Sequence, residues 1–140
     1  MSDLCDKTAV ELRRMIGRKD ISPVELLDSC IARIEVTDGA VNAVVTRAFD
    51  RARDEALHAE KAVLKGEELG LLHGLPVGIK DLEATSGIRT TLGSALYADD
   101  IPTKDQGSVS TIRAEGGIII GKANTPEFGA GATPRNLVFG

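Results

Sequence analysis

Lys80 closes the short apolar run Val77-Gly78-Ile79, inside the stretch Gly-Leu-Pro-Val-Gly-Ile-Lys-Asp from Gly74 to Asp81. A lysine fed out of a buried strand loses hydration. Desolvation lowers an amine pKa until the neutral form can serve as a base. The run ahead of Lys80 holds no other polar side chain, so the lysine is expected to be drawn inward. Most lysines are solvated surface charges, and Asp81 could be no more than an exposed neighbour. The glycines and small residues crowding the later loops favour a site instead, because they allow a backbone to approach a ligand closely. Asp81 itself reads as a turn-stabilising or supporting group rather than a catalytic acid. Lys122 reads as a strand-end lysine in an ion pair, with Glu127 as its partner.

Other chemistries fail on residue type or spacing. Gly116 to Ala123 spells G-x-x-x-x-G-K-A, but a phosphate-binding loop needs Ser or Thr after the lysine, and Ile118-Ile119-Ile120 is strand rather than loop. Gly129-x-Gly131 runs on to Pro134 and follows no strand, so it is not a dinucleotide fingerprint. His58 and His73 lie too far apart for a helical ligand pair, and no cysteine accompanies them, so no metal and no other cofactor is expected. Cys5 and Cys30 show neither disulfide-framework nor metal spacing, which suits a reducing, cytoplasmic setting. Net charge is −4 with no basic tract, which argues against nucleic acid as a partner. No apolar run approaches a membrane span, and Met1-Ser2-Asp3 does not open a signal peptide.

The elements that must position these residues divide the 140-residue chain in two. Residues 1–65 read as mainly helical. Thr8 and Glu11 form a capping box before a face of Leu12, Met15 and Ile16, and the helix ends at Lys19-Asp20. Ser22, Pro23 and Glu25 start a second helix with the stripe Leu27, Cys30, Ile31 and Ile34, broken at Thr37-Asp38-Gly39. Val41 to Thr46 predicts a short strand. Arg47 to Lys65 predicts a helix packed through Ala48, Ala52, Ala56, Ala59 and Ala62, with Leu57, Val63 and Leu64 beside them. From 70 to 140 the style changes, and all but three of the 15 glycines fall there. Val77–Ile79 is a strand, Thr85-Ser86-Gly87 a turn, and Ile88–Leu92 an extended segment. Residues 99–105 form a loop, and Asp105 caps a helix with Val109 and Ile112 inward. Ile118–Ile120 is a fully buried, parallel strand. A helix followed by such a strand is an α/β pattern. Composition, 42% hydrophobic and 27% charged, suits a single modest domain.

Taken together in order, several stretches identify a relationship. They are Gly74–Asp81, Thr90-Thr91-Leu92-Gly93-Ser94, Asp105 through Val109, Ile112-Arg113, Gly117–Lys122, Asn124–Gly129, Asn136 and Phe139-Gly140. In this order the chain resembles the amidase signature family over nearly all its length, most specifically from Gly74 onward. It departs from the family pattern at Glu115-Gly116-Gly117, where Ala-Gly-Ala is usual, and at Ala123, where Thr is frequent. The resemblance implies an α/β/α fold with a mixed, mainly parallel sheet, of which this chain would form the amino-terminal portion. It implies hydrolysis of carboxylic amides, to an acid plus ammonia or an amine, through a Ser–cis-Ser–Lys triad. Lys80 stands at the triad lysine's position, as the base acting through a bridging serine on a nucleophilic serine. Backbone N–H groups of the glycine-rich signature would stabilise the oxyanion.

Both triad serines are expected in a Gly-Gly-Ser-Ser-Gly-Gly type segment soon after Asn136–Gly140, so the 140 residues alone are expected to be inactive. Asn124, Thr125, Gly129, Ala130 and Gly131 are candidates for the wall of a small-molecule amide site. Two other readings stand beside this one: a truncated, non-catalytic fragment, and a glutamine-dependent amidotransferase-type subunit. That last branch usually reads Lys-Asp-Asn where this chain has Leu82, which favours a stand-alone amidase. A sheet built only in part leaves an open edge and an uncovered apolar face, predicting homo-oligomerisation or poor solubility.

Overall fold

The computed structural model describes residues 3–140; Met1 and Ser2, part of the start read above for signal-peptide character, lie outside them. A 3-10 turn, Leu4–Asp6, leads to helix α1, Ala9–Gly17, and helix α2, Pro23–Val41. Both helices begin with the capping boxes that the sequence announces. Thr8 and Ser22 accept from the backbone N–H groups of Glu11 and Glu25, whose carboxylates accept in return. Helix α2 runs past Asp38 and Gly39 rather than breaking there. The cause is Asp38, which turns its buried carboxylate onto the N–H groups of Ala43 (2.7 Å) and Val44 (3.0 Å), beyond the helix end. Asn42 then takes the left-handed conformation, φ 55°, that terminates the helix. Strand β1 is therefore Val44–Arg47, and helix α3 starts at Phe49 rather than Arg47 and ends at Lys65.

Strand β2, Pro76–Lys80, is followed by a long irregular segment in which the expected extended piece Ile88–Leu92 forms no strand. Helix α4, Gly107–Ala114, is not capped by Asp105. That carboxylate instead accepts from Ser86 N–H (2.7 Å) and pairs with Arg113 (3.0 Å). Strand β3, Ile118–Ala123, is the middle of a three-stranded sheet ordered β1-β3-β2, parallel to β2 and antiparallel to β1. The register slips by one residue against each neighbour. Gly121, at φ 156°, permits this, since a Cβ there would run into the carbonyl oxygen of Thr46.

Helices cover both faces of the sheet. Ile118 and Ile120 pack with Leu27 and Ile31 of α2 and Ala52, Ala56 and Ala59 of α3. Ile119 packs on the opposite face with Ile79, Ile88 and Val109 of α4. A third cluster joins Leu12, Ile16, Leu26, Val63 and Leu75 and docks α1 against the rest. Each such aliphatic side chain contributes about 1.5–3 kcal/mol on full burial. Of the predicted alanine face, Ala52, Ala56 and Ala59 are buried on α3 and Ala62 is half-buried, whereas Ala48 precedes the helix and packs with the Ile79 and Val109 cluster on the other face of the sheet; Leu57 and Leu64 are exposed. This is an α/β/α arrangement with a mixed sheet.

Candidate functional site

The carboxyl ends of the parallel strands β2 and β3 lie side by side, with Lys80 paired in register with Ala123. Open α/β sheets bind their ligands beyond this end of the strands. Four further hydrogen bonds assemble the loops there. Asp81 N–H donates to the Ala123 carbonyl (2.9 Å), Leu92 N–H to the Asp81 carbonyl (3.0 Å), and Phe128 N–H to the Leu92 carbonyl (2.7 Å). The Ser94 hydroxyl donates to Glu127 Oε1 at 2.6 Å. Leu92 and Phe128 both hold positive φ, 57° and 50°, which is costly for residues with side chains and is sustained only by surrounding structure. Gly93 is needed between them: its φ is 66°, and a Cβ would lie 3.0 Å from the Thr125 and Pro126 carbonyls.

Within this framework the two singled-out lysines exchange environments. Lys80 is exposed at the strand end, not drawn inward. Lys122 is fully buried and has no ion pair with Glu127, whose carboxylate is taken by Ser94. The Lys122 Nζ donates to three acceptors: the Glu83 carbonyl (2.5 Å), Thr85 Oγ1 (2.9 Å) and Thr90 Oγ1 (2.8 Å). Both threonine hydroxyl protons are already given to the carbonyls of Glu83 and Ile88, so their oxygens can only accept from the amine. Burial lowers the Lys122 pKa to about 8, opposed by the negative charges of Asp81, Glu83 and Asp105. An ammonium with three donors and three acceptors is complete. Lys122 therefore ties the segment after Lys80 to β3 and, being sealed, offers no lone pair to a substrate.

Asp81 is buried as well, and its carboxylate accepts from Thr91 N–H (3.1 Å) and Thr91 Oγ1 (2.5 Å). This supporting role is the one the sequence suggested. Asn124 and Thr125 follow β3 directly and so sit at the Lys80 end of the sheet. Their side chains are engaged internally. Asn136 Nδ2 donates to Asn124 Oδ1 (2.8 Å) and to the Thr125 carbonyl (2.8 Å), and Asn124 Nδ2 donates to the Asn42 carbonyl (3.2 Å). The Thr125 hydroxyl is buried and donates to the Pro126 carbonyl. Gly129 lies over Leu82, where a Cβ would come within 2.8 Å of Cδ1, and Ala130 and Gly131 are exposed beyond it.

The sequence marked Asn136 and Phe139 only as part of the family pattern, without their contacts, and gave no signal that His58 and His73 meet. Asn136 also accepts from Val138 and Phe139 N–H, while Asn42 donates to the Phe139 carbonyl, which clamps residues 136–139 beside β1. His58 and His73, distant in sequence, line one cavity of about 440 Å³ with Glu55 and Arg113. Among the described residues no group of three metal-ligating side chains comes together. No described helix is long and apolar enough to cross a membrane.

Comparison with known proteins gives consistent matches. The Amidase family profile matches residues 25–140. A glutamyl-tRNA(Gln) amidotransferase subunit from Moorella thermoacetica is 39% identical over 132 residues, covering 94% of this chain and 27% of that protein. Its counterpart from Geotalea daltonii is 36% identical over 138 residues, covering 99% and 28%. The solved structure of a bacterial aryl acylamidase of the amidase signature family superposes with TM-score 0.88 at 36% identity, over 96% of this chain and 28% of that one. The chain thus spans little more than a quarter of the length of these relatives.

Proposed function

Because the chain belongs to the amidase signature family, we propose that it is the lysine-bearing part of an enzyme that cleaves carboxylic amides to an acid and ammonia or an amine. The observation carrying this reading is Lys80, within Gly-Leu-Pro-Val-Gly-Ile-Lys-Asp, at the carboxyl end of two parallel strands. In the proposed reaction Lys80 takes a proton through a bridging serine from a nucleophilic serine. That serine attacks the amide carbonyl. The amine leaves, and water releases the acyl group. Both serines are supplied from outside residues 1–140. Gly129, above Leu82, forms one wall of the amide pocket together with Ala130 and Gly131. Asn124 and Thr125 shape that wall through their backbone, because their side chains are engaged internally.

The exposure of Lys80 fits this division. Its amine stands open to be covered by the polypeptide that brings the serines. The 140 residues by themselves are therefore inactive in this reading.

A second reading is favoured by the similarity to amidotransferase subunits: the parent protein delivers ammonia from glutamine to an acyl acceptor, together with partner subunits. Leu82, where the amidotransferase branch usually has Asn, favours the stand-alone hydrolase. The test is turnover by the full-length protein, purified alone, on simple aliphatic and aryl amides. Lys80→Ala should lower kcat by about 10²–10⁴-fold with the fold intact by circular dichroism. Unchanged turnover in that variant would remove Lys80 from the mechanism. Activity that appears only with glutamine and partner subunits would establish the second reading.

A further inference from the structure

The two cysteines, 25 residues apart and without any framework spacing, meet in the fold. Cys5 Sγ lies 3.8 Å from Cys30 Sγ, and both thiols are free and half-buried. We propose that Cys5 and Cys30 form an oxidisable thiol pair that closes into a disulfide, with a small disulfide such as oxidised glutathione as the oxidant.

The approach is enforced by groups other than the sulfurs. Asp3 accepts from Cys5 N–H (3.0 Å), from the Ser29 hydroxyl (3.0 Å) and from Arg33 Nη2 (2.5 Å), and Arg33 also holds Asp6 at 3.1 Å. Ser29 and Arg33 flank Cys30 on α2, so the 3-10 turn bearing Cys5 is pinned to the helix at the position of the second thiol. A disulfide needs the sulfurs at about 2.05 Å, so closure requires them to approach by about 1.8 Å (3.8 minus 2.05). Two small apolar residues filling space would not need the turn and the helix that bear them joined by three polar contacts.

The exchange proceeds in two balanced steps. The Cys5 thiolate attacks one sulfur of the oxidant, forming a mixed disulfide and releasing one thiol. The Cys30 sulfur, giving its proton to the departing thiolate, then attacks Cys5 Sγ, forming the protein disulfide and releasing the second thiol. The two cysteines are oxidised by two electrons, the small disulfide is reduced to two thiols, and the cysteine protons pass to the departing thiolates. Cys30 acts second because it packs into the cluster of Leu12, Ile16, Leu26, Val63 and Leu75. Burial pushes its thiol up to about 12, with Cys5 and the Asp3 carboxylate acting in the same direction.

The experiment treats the reduced full-length protein with oxidised glutathione, quenches with acid, alkylates, and reads intact mass and peptide maps. The expected result is loss of about 2 Da, both thiols protected from alkylation, and a peptide linking Cys5 to Cys30. Cys5→Ser and Cys30→Ser should each stop at a single glutathione adduct or remain unmodified. In wild type, two alkylatable thiols, a persistent mixed disulfide, or a disulfide-linked dimer would each overturn the proposal. The wild-type map decides the question even where a variant fails to fold.

Discussion

Two lysines show how far residue type constrains chemistry and where it stops. Both Lys80 and Lys122 end apolar runs, and only the three-dimensional surroundings separate them. Lys122 is sealed by Thr85 and Thr90, which lie 37 and 32 residues before it. No local pattern encodes that contact. The ion pair with Glu127 suggested by proximity in sequence is replaced by a neutral cradle, because Ser94 claims Glu127. The buried amine has a pH consequence. Its pKa falls from an ordinary 10.5 in the unfolded chain to about 8 in the fold. Between those values the unfolded state holds more protons, so stability rises as pH increases across that window. Below it the penalty is present in full. Urea midpoints at about pH 7 and about pH 9.5 should show wild type gaining stability relative to Lys122→Met. Parallel pH dependence in the two proteins would refute the assignment.

At the scale of elements, the features written locally in the sequence are those the structure keeps. The two capping boxes, the Ser22-Pro23 start, the alanine face of α3 and the buried Ile118-Ile119-Ile120 run each depend on residues within a few positions of one another. The errors arise where a side chain reaches beyond its own element. Asp38 reads as a helix breaker but ties α2 to β1, and Asp105 reads as a cap but braces the segment at Ser86. Burial alone would raise the Asp38 carboxyl pKa. The N–H groups of Val44 and Ala43, and Arg47, outweigh that and hold it below the usual range. Asp38→Ala should therefore destabilise by about 1–3 kcal/mol, leaving two backbone donors unmet. Asp28→Ala, at an exposed position of the same helix, should shift stability by less than about 0.5 kcal/mol. Equal denaturation midpoints for the two variants would contradict this account of the junction.

For the whole molecule, the α/β/α layering was legible from the helix–strand alternation and the family resemblance. The position of β1, antiparallel beside β3, was not, since nothing near Val44 indicates its partner. Among the described residues, β1 and β2 each pair on one side only, and Leu71, Leu96 and Leu137 are largely exposed. Residues 1–140 produced alone should self-associate at about 10 µM and above. Sedimentation should find species heavier than the 14.8 kDa chain, and a clean monomer would argue against this. The order β1-β3-β2 also places the latest of these three strands in the centre. On a ribosome, α1, α2 and α3 can coil as they emerge. Among the described residues, neither outer strand has a hydrogen-bonded neighbour until Ile118–Ala123 has left the exit tunnel. The vulnerable interval in the life of this polypeptide is therefore set by translation of the segment between Lys80 and Ile118, during which two strands wait for the one that joins them.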